Sequence, residues 1–437
     1  MLSKEDNEIL CKVSPGTMMG DLMRQFWIPV LTTAELPAPD SPPRRVRLLG
    51  ENLIAFRDTS GEVGLFANSC PHRGASMFFG RNEEDGLRCV YHGWKFDVSG
   101  ACVDMPSEPA ESNFKNKVRI RAYPCRERAG IVWTYMGPRE VPPPLPMLQG
   151  NLEGDRPSIV TKTLRECNYF QGLEGDIDTS HVGYLHRVFG RAAQPGTFEW
   201  YLDRDRHPQY AATNMPYGTI YGAYRPAEPD THYWRIGQFL LPFYTQPGTG
   251  ILGGPEGRRG YRLWVPLDDD HTMFWMIMPN LGEEEAPLAP GPGFAGRGFQ
   301  PDTTDWLGRW KLQANASNDY QVDREMQRDV NYTGIGGIHL QDQAITESMG
   351  TIYERTQEHL GTSDTMVILT RRRAINAAKA LREHGTLPAS VDDPDLFMTR
   401  SGGVVLPRDV DWLEATKELR HARVDDKLVA QSRVGLT

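Results

Sequence analysis

Cys70-Pro71-His72-Arg73-Gly74-Ala75 is followed, with sixteen residues between His72 and Cys89, by Cys89-Val90-Tyr91-His92-Gly93-Trp94. Each stretch offers one thiolate and one imidazole, and each sits on a turn flanked by strand-like sequence. A structural zinc site of the Cys₂His₂ kind pairs Cys with Cys and His with His, with wider gaps inside each pair. Here the two ligand types alternate within each loop. That arrangement suits a two-iron cluster in which one iron takes two thiolates and the other two imidazoles, because each loop then gives one ligand to each iron. Zinc is the competing occupant. Cys11, Cys102, Cys125 and Cys167 lack such spacing and are read as buried thiols.

Working outward, the sequence around the loops is β-rich. RRVRLLG, NLIAFRD and VGLFAN alternate apolar and polar residues between turn-formers such as Ser60-Gly61, and WKFD, Val98-Ser99-Gly100 and ACVDM read as a further hairpin. Upstream, Met18 to Trp27 has apolar residues at helical spacing and predicts a short helix ending just before Pro29. Downstream, VPPPLP (141–146) supplies a stiff connector, which puts a domain boundary near residue 142. Beyond it, SIVTKTLRE, HYWRIGQFLL, YRLWVPL and TMFWMIMP read as strands. One helical candidate spans about residues 168–187, and two or three more follow residue 303. Residues 281–302, rich in Pro and Gly, predict a long surface loop. The layout is α+β: an antiparallel sheet with helices gathered against it.

Composition narrows the function classes. The 437 residues suffice for two or three domains, and 39% hydrophobic and 24% charged residues are ordinary for a folded protein. Lys and Arg total 48 against 57 Asp and Glu, a net charge of −9, which argues against nucleic acid as a partner. The apolar runs are too short to cross a membrane, and MLSKEDNEILCK lacks the features of a secretory signal, so a cytoplasmic location is expected. In a reducing compartment six cysteines are not expected to pair.

A second constellation lies in NYFQGLEGDIDTSHVGYLHRVFG. Asp178 and His181 share a helix face, but His181 and His186 are five apart, about 140° around a regular helix. They meet at one ion only if the helix is locally unwound or carries a π-bulge. Two unrelated histidines are the alternative. A one-electron carrier upstream favours a site for it to feed, and Fe(II) held by two His and a carboxylate, with open positions, is the geometry of non-haem oxygenases. No G-x-G-x-x-G fingerprint or further cysteine set is present to oxidise a nicotinamide, so electrons are expected from a separate reductase.

CPHRGA with LRCVYHGWKFDVSG resembles the Rieske family, and DTSHVGYLH resembles the Asp-x-x-His-x(4)-His motif that Rieske non-haem iron oxygenases carry about ninety residues later. Nearly the whole chain is similar to the branch containing phthalate dioxygenase. The resemblance implies an all-β Rieske domain, residues 1–141 with the N-terminal helix, and a helix-grip (START-like) catalytic domain, residues 142–437. It implies a [2Fe–2S] cluster on Cys70, His72, Cys89 and His92, and a mononuclear Fe(II) on His181, His186 and a carboxylate from a helix nearer the C-terminus. In IHLQDQAITESMG, entered at residues 334–337 and stopped at Gly350, that carboxylate is read as Asp342, with Glu347 and Asp329 as competitors. Asp178 is implied to accept from His181 and to reach His92 of a neighbouring subunit. A head-to-tail trimer, or two stacked as a hexamer, follows.

The same resemblance implies O₂-dependent cis-dihydroxylation of a phthalate-, isophthalate-, chlorobenzoate- or phenoxybenzoate-type substrate, with electrons from a reductase carrying FMN and a plant-type [2Fe–2S] cluster. Monooxygenation or O-demethylation of an aromatic carboxylate is the competing reaction. An anionic substrate in an apolar pocket needs a cation, and a guanidinium grips a carboxylate through two parallel hydrogen bonds. The candidates are Arg206, Arg225 and Arg235. Trp275 and Met278 could line the pocket or serve as plain core.

Overall fold

The computed structural model describes residues 1–152, 157–254, 260–280 and 298–422. Its first 135 residues are built from short antiparallel strands: β1 (Trp27–Thr32), β2 (Arg44–Leu48), β3 (Glu51–Arg57), β4 (Val63–Ala67), β5 (Arg81–Asn82), β6 (Leu87–Arg88), β7 (Lys95–Phe96), β8 (Cys102–Asp104), β9 (Ala122–Tyr123), β10 (Cys125–Arg128) and β11 (Ile131–Tyr135). They form three sheets, ordered β2-β3-β4-β9, β5-β6-β7-β8 and β1-β11-β10. Alternation on β3 and β4 turns Ile54, Phe56 and Phe66 into a small core shared with Met77, Leu87, Phe96 and the sulfurs of Cys70 and Cys89.

The second part is one eight-stranded antiparallel sheet of β12 (Ile159–Arg165), β13 (Gln209–Met215), β14 (Gly218–Pro226), β15 (Thr231–Leu240), β16 (Tyr244–Gln246), β17 (Tyr261–Pro266), β18 (Thr272–Met278) and β19 (Gly402–Pro407). The order is β12-β18-β17-β16-β15-β14-β13, with β19 also on β15. The helices are α1 (Lys4–Cys11), α2 (Met18–Met23), α3 (Tyr169–Ile177), α4 (Phe198–Arg204), α5 (Arg324–Asp329), α6 (Ile338–Ser348), α7 (Thr365–His384) and α8 (Trp412–Ala415). The longest, α7, buries Met366, Thr370, Ala374 and Ala378 and packs across β13 and β14. This is the expected α+β layout of an all-β first domain and a sheet gripped by helices.

Several local expectations shift. The helix read over residues 18–27 stops at Met23, and Trp27 opens β1, where Pro29 faces Trp133 beside a bulge that absorbs its missing N–H. α1 and α2 pack on α7 rather than on the first sheets, with Lys379 reaching Asp6 (2.7 Å) and Arg382 reaching Asp21 (2.9 Å). The helical stretch at 168–187 is helical only to Ile177. Residues 281–297 of the expected surface loop lie outside the described residues. Trp275 is fully buried core and Met278 half-buried. All six cysteines are unpaired thiols. Among the described residues no helix is long and apolar enough to cross a membrane.

The two parts are clasped together. Leu49 and Gly50 donate to the carbonyls of Pro266 and Leu267 (3.2 and 2.8 Å), and Arg47 pairs with Asp268, which also caps His271 at 2.8 Å. Lys162, buried in the sheet between Trp275 and Trp310, pairs with Glu35 of the first part. Burial pushes this ammonium down to about 8 despite that partner.

Candidate metal centres

The two Cys/His loops are near copies of each other. Cys70 donates to Ala75 O (2.8 Å) and accepts from Gly74 N (2.9 Å); Cys89 donates to Trp94 O (2.8 Å) and accepts from Gly93 N (2.9 Å). Gly74 and Gly93 both take φ +79°, the left-handed value that closes each turn. The sulfurs are buried, while His72 and His92 are partly exposed with ring centroids 4.4 Å apart. His72 also stacks on Trp94 at 4.4 Å. Burial, with the Cys89 sulfur adding to it, pushes the Cys70 thiol up to about 11.

The donor set fits a cluster rather than a lone zinc. Among the described residues, only His181, His186 and Asp342 place three ligating atoms within 4.8 Å of one another. No three of the four donors in the loops do so, as expected when they are shared between two irons.

That other trio is assembled by breaking a helix. α3 ends where Asp178 adopts an extended conformation (φ −93°, ψ 124°), and the chain resumes as a 3-10 turn over His181–Gly183. The unwinding removes the 140° divergence that a regular helix would impose, and the two Nε2 atoms come to 3.2 Å. Asp342 comes from the first turns of α6, which is entered from Gly337 with φ +81°; its Oδ1 lies 3.0 Å from His186 Nε2 and 3.8 Å from His181 Nε2. The competitors are engaged elsewhere. Glu347 accepts from Glu166 N and Gln343 (2.8 Å each), and Asp329 is exposed beside Arg328.

Each imidazole is held from behind. Asp178 Oδ2 accepts from His181 Nδ1 (3.2 Å) while Oδ1 accepts from Ser180 N (2.6 Å). Gln341 Oε1 accepts from His186 Nδ1 (2.7 Å), its own amide donating to Ile335 O (2.8 Å). These bonds fix Nδ1–H and leave both Nε2 atoms free to ligate. Burial alone would raise Asp178 and Asp342, but the facing imidazoles outweigh it and hold both carboxyls below their usual range. α3 approaches β17 closely because Gly172 has no side chain; a Cβ there would meet the Trp264 ring at 2.0 Å.

The trio opens into a cavity of about 590 Å³. Arg235 lines it, with Nε on Gly248 O (2.8 Å) and Nη1 on Thr179. Arg225 is not on the wall; it is fully buried behind Phe198. Arg206 leans toward Asp203 at 3.7 Å and lies outside the lining. Sequence reasoning missed Gln341, whose only signal is adjacency to Asp342. It also missed Asp176, two residues before the break, which anchors the wall by accepting from Trp264 Nε1 and Thr245 (2.7 Å each) and pairing with Arg262.

Comparison with known proteins agrees with this geometry. The Rieske [2Fe-2S] domain family matches residues 26–124, and the LigXa C-terminal domain-like family matches residues 134–433. The chain is a Rieske non-haem iron oxygenase of the phthalate dioxygenase-like branch. It is 44% identical to the 3-chlorobenzoate-3,4-dioxygenase oxygenase subunit of Comamonas testosteroni, covering 96% of this chain and 98% of that one. It is 35% identical to the phthalate 4,5-dioxygenase oxygenase subunit of Pseudomonas putida, covering 99% and 98%. In fold it is similar to dicamba monooxygenase, with a TM-score of 0.54 at 17% identity over 83% of this chain and 99% of that one. As a Rieske oxygenase it uses a [2Fe–2S] cluster, mononuclear iron and O₂.

Proposed function

We propose that this oxygenase catalyses cis-dihydroxylation of an aromatic carboxylate of the phthalate, isophthalate, chlorobenzoate or phenoxybenzoate type. The observation that carries the reading is the cavity with the three ligating atoms at one end and the Arg235 guanidinium in its wall. Cys70, His72, Cys89 and His92 would hold the cluster, and His181, His186 and Asp342 the mononuclear iron. When bound, these groups supply one-electron delivery and O₂ activation, chemistry that no side chain can perform. The chain's own residues do the rest. Arg235 grips the substrate carboxylate and points the ring at the trio; Asp178 and Gln341 keep the Nδ1 protons of His181 and His186 in place.

Asp178 is also read as the link between copies. Its side chain is 28% exposed; Oδ2 accepts from His181 and Oδ1 from Ser180 N, and the exposed part of the carboxylate is the surface on which His92 of a neighbouring copy would dock in a head-to-tail trimer, or a stacked hexamer. The relatives named above are oxygenase subunits, which fits electrons arriving from a separate FMN and [2Fe–2S] reductase. A cytoplasmic location fits six unpaired cysteines.

Benzoates supplied with ¹⁸O₂ and a phthalate-type reductase test the reading. Two labelled oxygens in a cis-diol are expected. A single labelled atom in a phenol, or an aldehyde released from a methoxybenzoate, would replace it with the monooxygenase or O-demethylase reaction.

A further inference from the structure

The two Cys/His loops share a backbone shape but differ in the residues that bracket them. Ser69, just before Cys70, and Ser76, just after Ala75, pair across the base of the first loop. At the second loop the matching positions, before Cys89 and after Trp94, are Arg88 and Lys95, which pair in register between β6 and β7. Two neutral hydroxyls at one loop thus correspond to two cations at the other. The ladder carries charge one strand further, because Lys95 also faces Asp104 on β8.

Both cations are held in place. Arg88 Nη1 donates to Gly93 O (2.7 Å), the carbonyl that follows His92, and to Asp104 Oδ2 (2.6 Å), while Nε donates to Glu83 Oε1 (2.9 Å). Lys95 is buried, and its Nζ donates to Glu84 O (3.0 Å) and Glu84 Oε2 (3.3 Å). The guanidinium therefore braces the end of the His92 loop directly. Glu83, Asp104 and Glu84 are each more exposed than the cation they meet, so water screens these carboxylates more than it screens Arg88 and Lys95. The first loop has a cation of its own, Arg73, but it is exposed over the Tyr91 ring, 5.3 Å from the centroid.

Reduction by the separate donor adds one negative charge to the cluster, so nearby cations favour the reduced form and carboxylates oppose it. We infer that Arg88 and Lys95 hold the reduction potential of the cluster up from the His92 side, that Arg88 is in addition a positioning residue fixing this loop through Gly93 O, and that Asp104 partly offsets their charge. This rests on Cys70, His72, Cys89 and His92 being the cluster ligands. It adds that the loop read as the electron's exit to a neighbouring copy is the one with a positive brace.

Redox titration of the holoenzyme under argon, followed by the visible absorption of the cluster, is the test. Arg88→Gln is expected to lower the midpoint, moving the reduced-to-oxidised ratio at a fixed potential about tenfold toward the oxidised form, equivalent to about 59 mV for one electron. Lys95→Gln should move it the same way, and Asp104→Asn the opposite way by about two- to threefold. A charge effect gives opposite signs for the two members of one ion pair, whereas a loop merely loosened by loss of the Arg88–Asp104 bond shifts in one direction for both. Midpoints that move together for Arg88→Gln and Asp104→Asn, or that stay at the wild-type value, would overturn the inference. If Arg88→Gln does not hold the cluster, Lys95→Gln and Asp104→Asn decide by the same rule. A His92→Ala variant with the wild-type cluster spectrum would sink the ligand assignment, and this inference with it.

Discussion

The loops at Cys70 and Cys89 and the broken helix at Asp178 both hold candidate metal ligands still, but by opposite means. Each loop is closed by its own backbone, a pair of hydrogen bonds and a left-handed glycine, and the four proposed ligands fall within residues 70–92. The trio at His181 has no such local closure. It exists because a helix gives way at Asp178 and because α6, some 155 residues further on, delivers Asp342 and Gln341 to the same point. A locally closed site is set by its own turns; a site closed by tertiary contacts depends on every element that supports it.

Removing one ligand tests how independent the two regions are. Asp342→Ala is expected to abolish turnover and lower the iron content from about three to about two per chain, while the visible spectrum of the cluster persists. Loss of both signals together would show that the loops are not self-sufficient. Asp178→Asn keeps an acceptor for His181 but removes the charge. Turnover is expected to fall about 10- to 100-fold with both metals retained, measured by O₂ uptake and iron assay. Normal turnover in that variant would eliminate Asp178 as the link between copies.

On the loop side, the two matched glycines separate backbone strain from crowding. Gly74→Ala meets nothing within 4 Å and should cost only the left-handed conformation, about 1 kcal/mol. Gly93→Ala would also bring its Cβ to 2.6 Å from Pro106 Cγ. Its Tm is therefore expected to fall further than that of Gly74→Ala. Equal shifts would mean that the loops yield more easily than their shared hydrogen bonds imply.

The mildest effect concerns the clasp that holds both regions in one frame. The hydrogen bond that His271 donates to Asp268 raises His271 above its usual range; that contribution is full below the ordinary histidine value near 6.5 and lost as pH rises through the raised one. Burial raises Asp268, but His271 and then Arg47 outweigh it and hold the carboxyl low. Its contribution is therefore full above about 4 and lost as pH falls through the lowered value. Thermal stability should thus plateau between about pH 4 and 6.5 and decline above it, and Asp268→Asn should flatten the upper decline. A wild-type melting curve without that decline would remove the clasp from the account.

The cluster loops and the strands on either side of them were legible because ligand identity, turn chemistry and period-two alternation all act over a few residues. The pair His181 and His186 was legible only with a condition attached, that the helix must unwind, and Asp342 only as one of three acids. Arg235 could not be told from Arg206 or Arg225, since all three are equally arginine until β14, β15 and α4 turn one to the cavity, one behind Phe198 and one to the outside. The helix placed before Pro29 was too long because apolar spacing continues into β1. The N-terminal helices were grouped with the first sheets by order along the chain, whereas an apolar face packs wherever a complementary one is offered, here α7.

The sequence by itself determined the kind of chemistry: alternating Cys and His in two turns, a dissected Asp-His-His motif, and hence a protein built to carry electrons to a mononuclear iron. Only the tertiary structure decided which carboxylate completes the trio, which amide steadies His186, and which arginine faces the cavity. The reason is physical: ligand type and turn geometry are encoded locally, but convergence of donors from distant segments is set by the sheet and helices that bring them within a few ångströms.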